Sequence, residues 1–142
     1  MDTVLHFGNR IDAYAEDMIR DLAALVAIPS VCGPAEGEFP YGKASAQALD
    51  FVLNRAAEMG LSVYNADHYA GHAEYGEGDE IAAVLAHVDV VPVGPGWDTD
   101  PFTLTQKGDL LYGRGTADDK GAAIAALYAL KALKDAGVTG KR

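Results

Sequence analysis

Apolar positions recur at steps of three and four over residues 9–27, where Ile11, Tyr14, Met18, Leu22, Leu25 and Val26 alternate with Asp12, Glu16, Asp17, Arg20 and Asp21. That spacing lays one apolar stripe along a helix. Pro29 ends it, because the residue before a proline is driven out of helical dihedrals. Pro29, Pro34 and Pro40, with Gly33, Gly37 and Gly42, mark residues 29–42 as a loop. A second helix is predicted from about Ala44 to Met59, with Leu49, Val52, Leu53 and Ala56 inward and Gly60 as its stop.

The period then shortens. Leu61–Tyr64 reads as a short strand, and the polar, turn-rich residues 65–79 have room for another near Ala73–Tyr75. Ile81–Val91 is the strongest strand signal, since Ile81 to Ala86 are apolar without a break. Apolarity on both faces is the pattern of a central parallel strand covered by helices on either side. Pro92, Gly94, Pro95, Gly96 and Pro101 make residues 92–101 a stiff loop. Phe102–Gln106 and Leu110–Tyr112 flank Lys107-Gly108-Asp109 and predict a hairpin. A last helix runs from about Lys120 to Ala136, closed by Gly137. The order predicts an α/β class, an α/β/α sandwich with a mostly parallel sheet, in a single domain over residues 1–142.

Composition narrows the function classes. A hydrophobic share of 49% in 142 residues supports a folded domain rather than a disordered chain. A net charge of −10 argues against a nucleic-acid partner, which calls for a basic face. Cys32 is the lone cysteine, so no internal disulfide is available and a reducing compartment fits. The start Met1-Asp2-Thr3-Val4-Leu5-His6 shows no secretory signal. No apolar run approaches the roughly 20 residues of a spanning helix. The expected location is cytoplasmic, away from membrane.

Two short motifs carry chemistry. His87-Val88-Asp89 closes the strongest strand signal. Residues i and i+2 of a strand share a face, so the imidazole and carboxylate would lie side by side. A metal-binding imidazole commonly donates its other N–H to such a carboxylate, while a strand-end histidine hydrogen-bonded for packing would look the same. The second motif is Gly113-Arg114-Gly115-Thr116-Ala117-Asp118-Asp119-Lys120-Gly121, a glycine-rich turn opening a helix. Two adjacent carboxylates repel, and a cation would relieve them. Helix capping by Asp119 is the other reading; it accounts for Asp118 less well. The spacing is not that of a phosphate-binding loop, and the acids would repel an anion. His87, Asp89 and Asp118 together suit a site assembled at strand ends.

Ala86-His87-Val88-Asp89-Val90-Val91-Pro92, Gly96-Trp97, Asp100-Pro101-Phe102 and Leu111 to Gly121 together resemble the zinc-dependent aminoacylase and carboxypeptidase family, which uses two co-catalytic metals. Leu25-Val26-Ala27-Ile28-Pro29-Ser30-Val31 is similar to the close of that family's first helix, and Gly71-His72-Ala73-Glu74-Tyr75-Gly76 to its PepV-type dipeptidase branch. The resemblance implies the N-terminal part of a zinc-peptidase catalytic domain. His87 is then a ligand of one zinc, Asp89 holds the His87 ring from behind, and Asp118 bridges two zincs ahead of a cis peptide to Asp119. Asp119 and Lys120 are implied structural members of the turn. Cobalt or manganese are implied substitutes for zinc. Dipeptides or short peptides are the implied substrates, cleaved by metal-activated water with a glutamate as general base. A deacylase acting on N-acyl amino acids is the alternative within the family.

The chain departs from the family where it reaches Lys141-Arg142, before the segments that carry the glutamate base, the remaining ligands and the inserted lid domain. Glu74, Glu77 and Glu80 have no family match as a base. The expectation is therefore part of a metal site, weak metal binding and no turnover by this chain alone, and a non-catalytic fragment is the alternative outside enzymology. Unpaired sheet edges would favour self-association. His68 and His72, four apart in a loop-like segment, read as solvated or hydrogen-bonded rather than as ligands. His6 lies at the terminus, Cys32 lacks a neighbouring base, and Trp97 reads as loop packing.

Overall fold

Three helices supply most of the core. The computed structural model describes residues 8–138, so His6, Lys141 and Arg142 lie outside them. The first periodic stretch forms two helices, α1 (Gly8–Asp12) and α2 (Ala15–Val26), rather than one. The break falls at Tyr14, whose N–H donates to the Ile11 carbonyl at 2.9 Å and whose hydroxyl donates to the Asp135 carboxylate. The chain continues through α3 (Lys43–Glu58), β1 (Ser62–Ala66), β2 (Ala70–Glu74), β3 (Thr105–Lys107), β4 (Leu110–Tyr112) and α4 (Lys120–Asp135).

Leu22, Leu25 and Val26 of α2 pack with Ala48 of α3 and with Ile124 and Tyr128 of α4. Ala56, Leu61 and Leu127 form a smaller cluster beside them. Asp21 is buried within the helical layer. One of its oxygens accepts from Arg55 Nε at 3.0 Å and from the Tyr128 hydroxyl at 2.7 Å, which ties α2, α3 and α4 together. Burial and this carboxylate push the Tyr128 phenol up to about 12.

The hairpin predicted around Gly108 forms, and a second one forms over residues 62–74, where two short strands were expected and Gly71 falls inside a strand rather than a turn. β1 pairs antiparallel with β2 from Ser62↔Glu74 to Ala66↔Ala70, and β3 pairs antiparallel with β4 from Thr105↔Tyr112 to Lys107↔Leu110. The strand expected over Ile81–Val91 does not form. Its sheet-type pairing among the described residues is one isolated parallel bridge between Val31 and Val90. Val84 is 78% exposed and Leu85 99% exposed, where burial on both faces was expected. An apolar strand gains its burial from neighbours on both sides, and both hairpins close on themselves instead. The mixed α/β class stands, while parallel pairing is confined to that bridge.

Candidate functional site

The two chemical motifs meet at the C-terminal exit of α2. Residues 87–90 run past Ser30, which is fully buried: its hydroxyl donates to the Val88 carbonyl at 2.6 Å, and the Val90 N–H donates to the Ser30 carbonyl at 2.9 Å. Val88 packs against the helical core and Val90 is buried, so His87 and Asp89 are left on the outer side. The alternation that a strand would have imposed is present without a ladder.

The turn after β4 brings the acids to the same place. Gly115 has φ +89°, a left-handed value that favours glycine, and a Cβ there would lie 2.9 Å from Val90 Cγ1. A Cβ on Gly121 would come within 2.1 Å of the Thr116 carbonyl oxygen, so the start of α4 closes on the turn only because that position has no side chain. The Asp118–Asp119 peptide bond is cis.

His87, Asp89 and Asp118 are brought together. His87 Nε2 lies 3.0 Å from Asp118 Oδ1, and Nδ1 lies 3.2 Å from both the carbonyl and the Oδ1 of Asp89. A doubly protonated ring satisfies both carboxylates at once. Partial burial of the ring opposes its charge, but the hydrogen bonds and charges of Asp89 and Asp118 outweigh it and hold the His87 pKa above the ordinary histidine value. Asp118 remains open, its side chain 84% exposed. Asp119 sits at the N-cap of α4 without capping it through its side chain; its Oδ2 accepts the His87 backbone N–H at 3.2 Å. The capping reading therefore gives way to a contact across the site.

Imidazole nitrogen and carboxylate oxygen are the donor types that zinc accepts, and here the two face each other at 3.0 Å. No group of three His, Cys, Asp or Glu side chains able to hold a metal occurs among the described residues. His87 and Asp118 therefore fit a cation as part of a ligand set, short of a tetrahedral one.

The other sequence candidates lie elsewhere. His68 follows Asp67 in the β1–β2 turn, with Nδ1 3.3 Å from Asn65 Nδ2, 3.5 Å from Asp50 Oδ1 and its ring edge-on to Phe39. His72 is on β2 opposite Tyr64, the two ring centroids 5.5 Å apart. Trp97 carries the Arg114 guanidinium over its face at 5.2 Å. Cys32 is exposed. No helix among the described residues is long and apolar enough to cross a membrane.

Sequence reasoning passed over Ser30, and it gave Lys120 a structural place in the turn without its reach to the exit of α2. Lys120 Nζ donates to the Leu25 carbonyl at 2.8 Å and the Ile28 carbonyl at 2.7 Å, and the residue is fully buried. Burial pushes its ammonium down to about 8. A signal was available, because Lys120 stands in line with Ala123, Ile124, Leu127 and Tyr128 on the inward stripe of α4. Ser30 offered no such signal, being one polar residue in a loop.

Residues 83–142, which hold both motifs, match the model of "Peptidase family M20/M25/M40". A protein of Staphylococcus haemolyticus and one of Staphylococcus saprophyticus, each named "Putative dipeptidase" (SH1171 and SSP1012), are 44% and 41% identical over 136 residues. The likeness to this peptidase family thus extends over the segment that carries both motifs. Either alignment covers 94% of this chain and 29% of the relative, so the chain spans under a third of the length of these proteins. The fold is similar to that of two solved structures. Human carnosine dipeptidase 1 gives a TM-score of 0.75 at 24% identity, and the dipeptidase Dug1p of Saccharomyces cerevisiae gives 0.72 at 20%. Both comparisons cover 91% of this chain and 30% of the other.

Proposed function

We propose that this chain is the N-terminal part of the catalytic domain of a zinc-dependent dipeptidase, in which His87 and Asp118 bind metal and Asp89 orients His87. The observation that carries this reading is the 3.0 Å approach of His87 Nε2 to Asp118 Oδ1, across 31 residues of sequence, within a segment that matches a peptidase family. Asp89 accepts from Nδ1, which fixes the tautomer and leaves the Nε2 lone pair directed at the position Asp118 faces. Asp119 holds the His87 backbone, and Asp118 stays exposed and free to turn both oxygens to a cation. A bound metal supplies Lewis acidity and lowers the pKa of water at the site. The substrate class is dipeptides, supported by the names of the bacterial relatives, and the lone exposed cysteine is compatible with a cytoplasmic protein. Cobalt or manganese would suit the same oxygen and nitrogen donors.

The test grafts residues 8–138 into the matching segment of the Staphylococcus haemolyticus relative and measures dipeptide hydrolysis with added zinc. The native relative and the graft should both hydrolyse dipeptides, and His87→Ala in the graft should abolish turnover. Turnover that survives His87→Ala and Asp118→Ala would overturn the assignment.

A further inference from the structure

The two ligand-bearing segments are far apart in sequence, and each is fastened to the exit of α2, one through Ser30 and the other through the Leu25 and Ile28 carbonyls. On one side, the buried Ser30 hydroxyl donates to the carbonyl of Val88, the residue between His87 and Asp89, and the Ser30 carbonyl receives the Val90 N–H. On the other, the buried Lys120 ammonium, two residues after Asp118, donates to the Leu25 and Ile28 carbonyls. These carbonyls belong to the last turn of α2 and its exit, where a cation is favoured and helical partners run out. Gly115 lies between the two fastenings, since a Cβ there would lie 2.9 Å from Val90 Cγ1 and 3.0 Å from Lys120 Cδ.

We propose that Ser30 and Lys120 are positioning residues that set His87 in register with Asp118 through the Ile28-Pro29-Ser30 exit of α2. The proposal rests on the metal assignment of His87 and Asp118 made above. Ser30 fixes the peptide plane in the middle of the His-x-Asp motif, which turns Val88 inward and both chemical side chains outward. Lys120 fixes the base of the acidic turn to the same exit. Neither residue touches the metal position; each acts through a ligand-bearing segment. The surrounding segment 81–87 is exposed, and the Ser30 contacts help hold its end to the helical layer together with the inward Val88 and Val90.

The test labels the 142-residue chain uniformly with ¹³C and ¹⁵N and follows its histidine rings and backbone amides by NMR, with and without zinc, in Ser30→Ala, Lys120→Met and His87→Ala. Ser30→Ala removes one hydroxyl, and circular dichroism checks that the helices persist. Without zinc, its His87 ring resonances should move toward those of a free imidazole while the resonances of Leu25, Ile124 and Tyr128 stay in place. With zinc, loss of such a supporting contact should weaken binding roughly 10-fold. In the His87→Ala background, Ser30→Ala should have no further effect. Lys120→Met should broaden or shift the Asp118 and Asp119 amide resonances and weaken zinc similarly. Unchanged His87 resonances and unchanged zinc affinity in Ser30→Ala and Lys120→Met would overturn the positioning role, as would an equal loss in the His87→Ala background. If wild type and His87→Ala bind zinc alike, it is the metal assignment that fails, and the zinc-free ring resonances still decide the positioning role.

Discussion

The helical layer and the segment 81–93 contain similar residues and have opposite fates. Leu25 of α2 is fully buried between α3 and α4, whereas Leu85 is 99% exposed, although Leu85 stands in the more continuously apolar run. Helices α2, α3 and α4 satisfy their backbones internally and need only one face covered. An extended segment needs partners for its backbone and cover for two faces, and among the described residues it finds one bridge, Val31–Val90. Local pattern therefore sufficed for the helices but not for the sheet. The candidate site lies on the seam: Asp118 and Asp119 belong to the turn opening α4, and His87 and Asp89 to the exposed segment.

The largest effect should come from the buried side of this contrast. Leu25→Ala should cost about 4 kcal/mol, the upper part of the range for deleting a fully buried leucine side chain. Urea denaturation checks it, and a loss below about 1 kcal/mol would mean the α2–α4 packing is not what holds the fold. Gly121→Ala should cost roughly 3 kcal/mol through backbone collision with Thr116 and should displace Asp118. Zinc affinity should fall if the collision spreads into the acidic turn, and unchanged stability and affinity would show that the turn yields easily.

A pH series separates the seam from the core. Partial burial opposes the His87 charge, but its contacts with Asp89 and Asp118 prevail and raise its pKa above the ordinary value, so if Nε2 is a ligand, protons compete with zinc for it. Affinity should fall by about tenfold per pH unit below that raised value. Without zinc the sign reverses: the protonated ring favours the folded chain, a contribution complete below the ordinary value and lost as the pH rises through the raised one. Titration at several pH values, with His87→Ala as reference, checks both. A flat zinc affinity would remove His87 from the ligand set.

The smallest stability change belongs to the exposed segment. Leu85→Ala should alter stability by less than about 0.5 kcal/mol, as for other surface positions. The same segment should drive self-association through its unpaired backbone and apolar side chains. Sedimentation at rising concentration should show association in the wild type and less in Leu85→Lys. A monomer at all concentrations would mean that this segment folds back in solution.

Much of this was legible in the sequence for identifiable reasons. Gly60 and Gly137 close α3 and α4 with φ of +75° and +66°, and Gly108 turns the β3–β4 hairpin at +61°. These are local rules, written in a few adjacent residues. The grouping of His87, Asp89 and Asp118 was legible because one histidine and two aspartates stood in two compact motifs. Long-range terms were not. Nothing near Tyr14 announces that its hydroxyl will reach Asp135 and divide the first helix. Nothing near Ile81–Ala86 states which strands will flank it. Asp119 read as a helix cap because the rule is local, while its partner, the His87 N–H, is 32 residues away.

The most direct measurement is a zinc titration of the purified chain by calorimetry, repeated on His87→Ala, Asp118→Asn and Asp89→Asn. The account predicts weak binding by the wild type, loss of it in His87→Ala and Asp118→Asn, and a smaller loss in Asp89→Asn, which leaves both ligands in place. Equal affinity in the wild type and His87→Ala, or a larger loss in Asp89→Asn than in His87→Ala, would contradict it.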